Sequence, residues 1–269
     1  MTAGVFLGSI AAMSINSWPL VWLGFELNLI NFVPTFIKEE NKKKPAIMYF
    51  IIQRVGSIVI LRRSIVTESK VALCLFILIG LLIKLGAAPF HFWLPRVLTQ
   101  LNTPGLYIII TWQKLAPLWV AIMLIITKTF ISFLNLLVGS FIMTVITRPI
   151  MVIIFSGISQ LGWILIIQTK VLTTFILIYY IILLPIIFYL NTNTKNFFWG
   201  IMNAGGLPPF SGFMIKIKAL TRIKKVTAFI FVSARAVALS CYSRIMINSN
   251  YRKESLSMLT YTSLIVGIV

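Results

Sequence analysis

The chain has no aspartate, a single histidine (His91) and two cysteines (Cys74 and Cys241). Its acids are five glutamates: Glu26, Glu39, Glu40, Glu68 and Glu254. Without Asp, an Asp-based catalytic triad or an EF-hand loop is excluded. With one His, so is a His-rich metal site. The two cysteines stand far apart in apolar surroundings and form no CxxC pair, which argues against zinc, haem-attachment or iron–sulfur roles. There is no P-loop and no GxGxxG following a strand. No cofactor is therefore expected in this chain, and electron transfer is beyond it alone. Charge is scarce as well: 11% of the 269 residues, against roughly a quarter in soluble domains.

What the chain has is apolar surface. Hydrophobic residues make up 59% of it, and the mean hydropathy is +0.99. That composition excludes an ordinary soluble globular protein and a disordered one. Lys plus Arg number 24 against 5 acids, a net charge of +19. In a soluble protein this would suggest nucleic acid. Here most of the charge lies between or inside apolar runs, so attraction to anionic lipid such as cardiolipin is the better use of it.

The apolar runs follow one another at 1–15, 18–37, 45–66, 71–90, 105–127, 129–147, 149–169, 171–190, 197–220, 226–248 and 256–269. A spanning helix needs ~20 apolar residues, so the pattern predicts an all-α integral membrane protein of about ten or eleven transmembrane helices. The short loops predict one transmembrane domain over 1–269. Residues 1–15 have no basic n-region and no cleavage pattern, so they are expected to be a helix rather than a signal peptide; they and 256–269 have the look of clipped spans. Basic residues at most loops leave the orientation open. Gly and Pro interrupt several spans, at Lys84-Leu-Gly-Ala-Ala-Pro89, Lys114-Leu-Ala-Pro117 and Gly205-Gly-Leu-Pro-Pro209. Such interruptions in corresponding places suggest a transporter built from repeats.

An ionisable residue inside a span costs several kcal/mol and is a functional candidate for that reason. Glu26 is the one acid inside a span and calls for a cation or a proton. The alternative is a structural carboxyl bonded to polar neighbours such as Asn28. Lys84 closes the uncharged run Val71 to Ile83, with Gly86 and Pro89 after it. Burial disfavours a charged amine and lets it take and release a proton; the alternative is snorkelling from a helix end. Lys114 sits mid-span, where snorkelling is harder. Lys216 follows a Pro-broken helix, with Lys218 nearby. His91, among aromatics and prolines, is either a proton shuttle or a hydrogen-bonded structural residue. Together these five suggest proton translocation. Arg54, Arg62, Arg63, Arg235 and Arg244 are further charges within apolar runs.

Four segments in order, Trp22-Leu-Gly-Phe-Glu-Leu-Asn28, Lys84-Leu-Gly-Ala-Ala-Pro-Phe-His-Phe-Trp-Leu-Pro95, Thr111-Trp-Gln-Lys-Leu-Ala-Pro117 and Gly205-Gly-Leu-Pro-Pro-Phe-Ser-Gly-Phe213, resemble mitochondrial NADH dehydrogenase subunit 2, an antiporter-like subunit family of respiratory complex I. Ser156-Gly-Ile-Ser-Gln-Leu-Gly-Trp163 fits the same family, and the resemblance runs over about 16–246. It implies a core membrane subunit of the proton-pumping NADH:ubiquinone oxidoreductase in the mitochondrial inner membrane. Its partners would be the other membrane-arm subunits and lipid. NADH, FMN, iron–sulfur clusters and ubiquinone would belong to the rest of the complex. The resemblance makes Glu26 and Lys84 an ion pair, Lys114 the central lysine and Lys216 the lysine of the second broken helix. Two departures stand out. Arg96 replaces an acid usual after the His-Phe-Trp segment, and Ile150-Met151 stand where a basic pair is frequent.

Two other classes compete: a stand-alone cation/proton antiporter, and a bundle that only spaces its neighbours. The second leaves Glu26, Lys84 and Lys114 unexplained. Arg54, Arg62, Arg63 and Arg235 also occupy positions where small or apolar residues are expected. Many invertebrate mitochondria read AGA and AGG as serine. We read some of these arginines as serines translated with the wrong code, since buried unpaired arginines are costly and serines bond back to the helix.

Overall fold

A computed structural model describes residues 2–14, 17–37, 43–65, 70–123, 128–166, 201–207, 211–221 and 225–248. The described elements are helical: α1 (Thr2–Ser14), α2 (Trp18–Ile37), α3 (Lys43–Ile65), α4 (Lys70–Leu85), α5 (Trp93–Leu98), α6 (Thr103–Ile110), α7 (Trp112–Met123), α8 (Lys128–Val145), α9 (Pro149–Ile166), α10 (Ser211–Leu220) and α11 (Lys225–Asn248). Residues 201–205 are helical too. The expected all-α architecture is what the described residues have. By length and composition Lys43–Arg62, Pro149–Ile166 and Thr227–Ile245 can each cross a membrane, and four shorter apolar helices accompany them. The expected spans 171–190 and 256–269 lie outside the described residues.

The chain divides into two compact units, Met1–Thr127 and Lys128–Val269. In the first, α2 packs on α1 and α3, α4 packs on α3 and α7, and α5 packs on α3. In the second, α8 and α9 form a hairpin on which α11 rests. With no water to expel, helices in lipid associate by close packing, and small residues permit it. A Cβ on Gly8 would lie 2.6 Å from the Asn28 nitrogen, and one on Gly24 2.7 Å from that of Ala12, so α1 and α2 touch backbone to backbone. Gly139 and Gly162 bring α8 and α9 together in the same way. Around that hairpin Met143, Val152, Phe155, Ile158, Ile201 and Tyr242 form a core.

The expected interruptions fall at or near the Gly and Pro residues that marked them. The run 71–90 leaves the helix at Leu85, because Gly86 turns to φ 62°. The Gly86 N–H donates to Ile83 O at 3.2 Å and the Ala87 N–H to Leu82 O at 3.0 Å, a Schellman cap. The described part of the run 105–127, residues 105–123, is two helices, with the break at Thr111 between α6 and α7, ahead of the expected Lys114–Pro117. There the Lys114 N–H reaches back three residues to Thr111 O at 3.2 Å. Pro117 lacks the N–H that would continue the ladder. In the third, residues 201–205 end at Gly206 (φ 74°). Its N–H donates to Asn203 O at 2.9 Å and the Leu207 N–H to Met202 O at 3.4 Å, the same cap again.

Candidate functional site

In the first unit, the residues singled out by the cost of a charge in lipid are buried. Glu26 is 6% exposed, Lys84 6% and Lys114 3%. His91 is buried as well and stacks on Phe92, ring centroids 4.4 Å apart. Lys84 does not snorkel.

Glu26 projects from α2 toward α3. Its two carboxylate oxygens are taken separately: Arg54 donates to Oε2 and Ser57 to Oε1. The residues stand three apart on α3, so they share one face. This corrects the expected direct ion pair of Glu26 with Lys84. The Arg54 guanidinium occupies the carboxylate, and Lys84 remains within electrostatic reach of both Glu26 and Arg54. It also corrects the premise that Arg54 is buried and unpaired, since its side chain is 45% exposed and it holds Glu26.

Lys84 is held otherwise. Its Nζ donates to Gln53 O at 3.3 Å, while Gln53 Nε2 donates to Lys84 O at 3.1 Å. The ammonium also lies over the Phe25 ring, 4.8 Å from its centroid. The carbonyls freed by the end of α4 are thereby answered: Gln53 takes that of Lys84, and Trp93 Nε1 takes that of Ile83 at 3.1 Å. Broken helices persist in lipid where neighbours satisfy the backbone in this manner. Asn28 does not bond Glu26; it accepts from Gln113 Nε2 at 3.0 Å, joining α2 to α7 beside Lys114.

In the second unit Lys216 is partly buried on α10. Its Nζ donates to Ala204 O at 2.7 Å and Gly205 O at 3.1 Å. These are end carbonyls of the broken helix, where the helix dipole favours a cation. Gln160 Nε2 approaches Ala204 O at 3.5 Å, and the Trp163 ring centroid lies 6.0 Å from the amine. Arg235 is part-buried; it donates to Gly206 O, a neutral carbonyl rather than a counter-charge, and its Nε is buried with no hydrogen-bond partner. Arg62 is exposed over the Phe76 ring, and the side chain of Arg63 lies outside the described residues.

Sequence reasoning missed Gln53 and Ser57. A signal existed: two polar side chains four apart in the apolar run Ile51 to Ile60 lie on one helix face. It was too short to separate from ordinary serine and glutamine content. Among the described residues no cluster of His, Cys or Glu could hold a metal ion.

Residues 62–196 match the family described as NADH:quinone oxidoreductase/Mrp antiporter, transmembrane. Antiporter-like membrane proteins are thus the class that the broken helices and buried lysines define. NADH-ubiquinone oxidoreductase chain 2 of Artemia franciscana is 30% identical over 89% of this chain and 84% of its own length. That of Anopheles gambiae is 30% identical over 93% and 86%. The chain belongs to the NADH-ubiquinone oxidoreductase chain 2 family. Among solved structures, a chain of respiratory complex I from Thermus thermophilus superposes with a TM-score of 0.84 at 16% identity, covering 98% of this chain and 76% of that one. A chain of the Mrp complex from Dietzia gives 0.75 at 15% identity, covering 94% and 60%. At such identities the likeness is one of fold.

Proposed function

We propose that this chain is a core membrane subunit of the proton-translocating NADH:ubiquinone oxidoreductase and carries a proton path of Glu26, Lys84, Lys114, Lys216 and His91. One observation carries the reading: three ionisable side chains of one unit, Glu26, Lys84 and Lys114, are each buried at 6% exposure or less in a chain of lipid-spanning composition. A bundle that only spaced its neighbours would have no use for them, given the cost of each charge. NADH oxidation and quinone reduction occur in other subunits, which hold the flavin, the iron–sulfur clusters and the quinone site. The whole chain acts as one antiporter-like domain of the mitochondrial inner membrane, beside other membrane-arm subunits and anionic lipid such as cardiolipin.

The chemistry is proton exchange between held groups. Glu26 accepts or yields a proton against the fixed donors Arg54 and Ser57. Lys84 is anchored at the backbone of α3, so a change of charge at Glu26 alters the field at its amine without unseating it. Lys114, buried on α7, is the next amine in the same unit. In the second unit the amine of Lys216 is held at the end of a broken helix. A charge held by carbonyl dipoles gives up its proton when the local field changes.

The test is Lys114→Met in the assembled complex, reconstituted into liposomes. NADH-driven acidification is expected to fall at least tenfold while the complex still assembles. Unchanged pumping would leave the spacer reading. Proton transport by the purified chain alone would instead make it an autonomous antiporter.

A further inference from the structure

The hydroxyl of Ser57 stands between two acceptors. It donates to Glu26 Oε1, and it lies 2.9 Å from its own helix's Arg54 O, a distance at which it donates equally well. A hydroxyl has one proton to give and two lone pairs to accept with. It can serve one acceptor at a time, and which one depends on the state of Glu26. Opposite an ionised carboxylate, the Ser57 O–H points to Oε1. Opposite a protonated carboxyl, the acid O–H donates to Ser57 Oγ, and the serine O–H turns to Arg54 O. Both ends stay bonded in both states, so protonation requires rotation about one bond rather than a rearrangement of helices.

We propose that Ser57 is a positioning residue of the Glu26 proton site: its rotating hydroxyl keeps the Glu26 carboxyl hydrogen-bonded in both protonation states. The inference rests on the proton-path reading and adds a residue to it. Burial is what gives the hydroxyl its importance. Ser57 is fully buried and Glu26 nearly so, and an unbonded carboxyl in that setting is costly. The second acceptor is a backbone carbonyl, so the device does not depend on the side chain at position 54. The charged groups facing Glu26 are Arg54 from α3 and, at longer range, Lys84 from α4. Of its other neighbours, α1 carries no charge over the described residues Thr2–Ser14, and α7, tied to α2 by the Gln113–Asn28 bond, carries the buried Lys114. Neither Arg54 nor Lys84 can do what Ser57 does. A guanidinium donates and never accepts, and the Lys84 amine is engaged at Gln53 O.

The experiment uses the assembled complex with Ser57→Ala, Ser57→Thr and Glu26→Gln variants. Infrared difference spectra across a pH titration follow the protonated carboxyl, with Glu26→Gln marking which band is lost. With Ser57→Ala, the Glu26 band is expected to shift to that of a carboxyl with one fewer hydrogen bond. The pH profile of pumping is expected to move by about one unit to higher pH, because the charge-assisted bond lost by the ionised carboxylate is stronger than the neutral bond lost by the acid. Ser57→Thr keeps the hydroxyl and is expected to restore both. A Glu26 band and pH profile unchanged in Ser57→Ala would overturn the proposal, as would equal changes in the Ala and Thr variants. If Glu26→Gln pumps normally while Ser57→Ala still shifts the band, the hydroxyl contact stands and the proton-path reading falls.

Discussion

Gln53 and Lys84 exchange hydrogen bonds across α3 and α4: each side chain donates to the other's backbone carbonyl, at 3.1 and 3.3 Å. The exchange fixes the lysine amine at the point where α4 breaks, and it satisfies a carbonyl that the break exposes. Gln53→Leu fills the same space but removes the amide donor. A buried carbonyl left unpaired costs ~1–3 kcal/mol. The variant is expected to lower the thermal midpoint of the assembled complex and to cut NADH-driven pumping several-fold. Pumping at the normal rate would show that Lys84 is positioned without Gln53.

Lys216 allows structure and proton chemistry to be separated. Its amine bridges Ala204 O and Gly205 O. Lys216→Gln keeps a donor for a carbonyl but has no titratable proton; Lys216→Met has neither. The glutamine variant is expected to assemble at normal levels and fail to pump. The methionine variant is expected to fail at both. Pumping by the glutamine variant would remove Lys216 from the proton path.

Gly86 sits at φ 62°, and a Cβ there would run into the Leu94 side chain. Left-handed backbone costs a non-glycine residue ~1–2 kcal/mol before any clash. Gly86→Ala is expected to reduce the amount of assembled complex on a native gel. The remedy is local, so Gly86→Ala with Leu94→Ala is expected to recover part of it. No recovery would mean that backbone strain alone is responsible.

Arg244 caps the end of α8 from α11. It donates to Thr144 O at 2.8 Å, Met143 O at 3.0 Å and Ile146 O at 2.7 Å. The planar fork reaches several acceptors at once, which a lysine ammonium on a flexible stem does less well. Arg244→Lys is expected to lower stability by ~1–2 kcal/mol despite its unchanged charge. Thermal denaturation of the complex, with pumping rate as control, measures it. An unaltered midpoint would make the cap dispensable.

Peptide mass spectrometry settles the identity of positions 54, 62, 63 and 235. Serine is expected at 235, where the guanidinium leaves a buried Nε without a partner. Arginine at all four positions refutes the codon reading. At 54 the energetic argument is weaker than composition suggested, because Glu26 takes that charge.

Composition and the placement of charge determined most of what this protein is. Long apolar runs in water would aggregate, so they imply lipid. In lipid each backbone group must be bonded internally, so they imply helices. An ion in such a helix is costly wherever it points, which is why Glu26, Lys84 and Lys114 stood out before any geometry was known. The helix breaks at Gly86 and Gly206 were marked by Gly and Pro for the same local reason. The split of 105–127 at Thr111 was less visible, since no glycine marks it. Which groups meet was decided by tertiary structure alone. Glu26 and Arg54 lie 28 residues apart, Lys84 and Gln53 31. Their pairing depends on the packing of α2, α3 and α4, and a linear pattern of hydropathy carries no information about which face of one helix meets which face of another. The donors that complete the site, Gln53 and Ser57, matter only because that packing aims them at a carbonyl and a carboxylate.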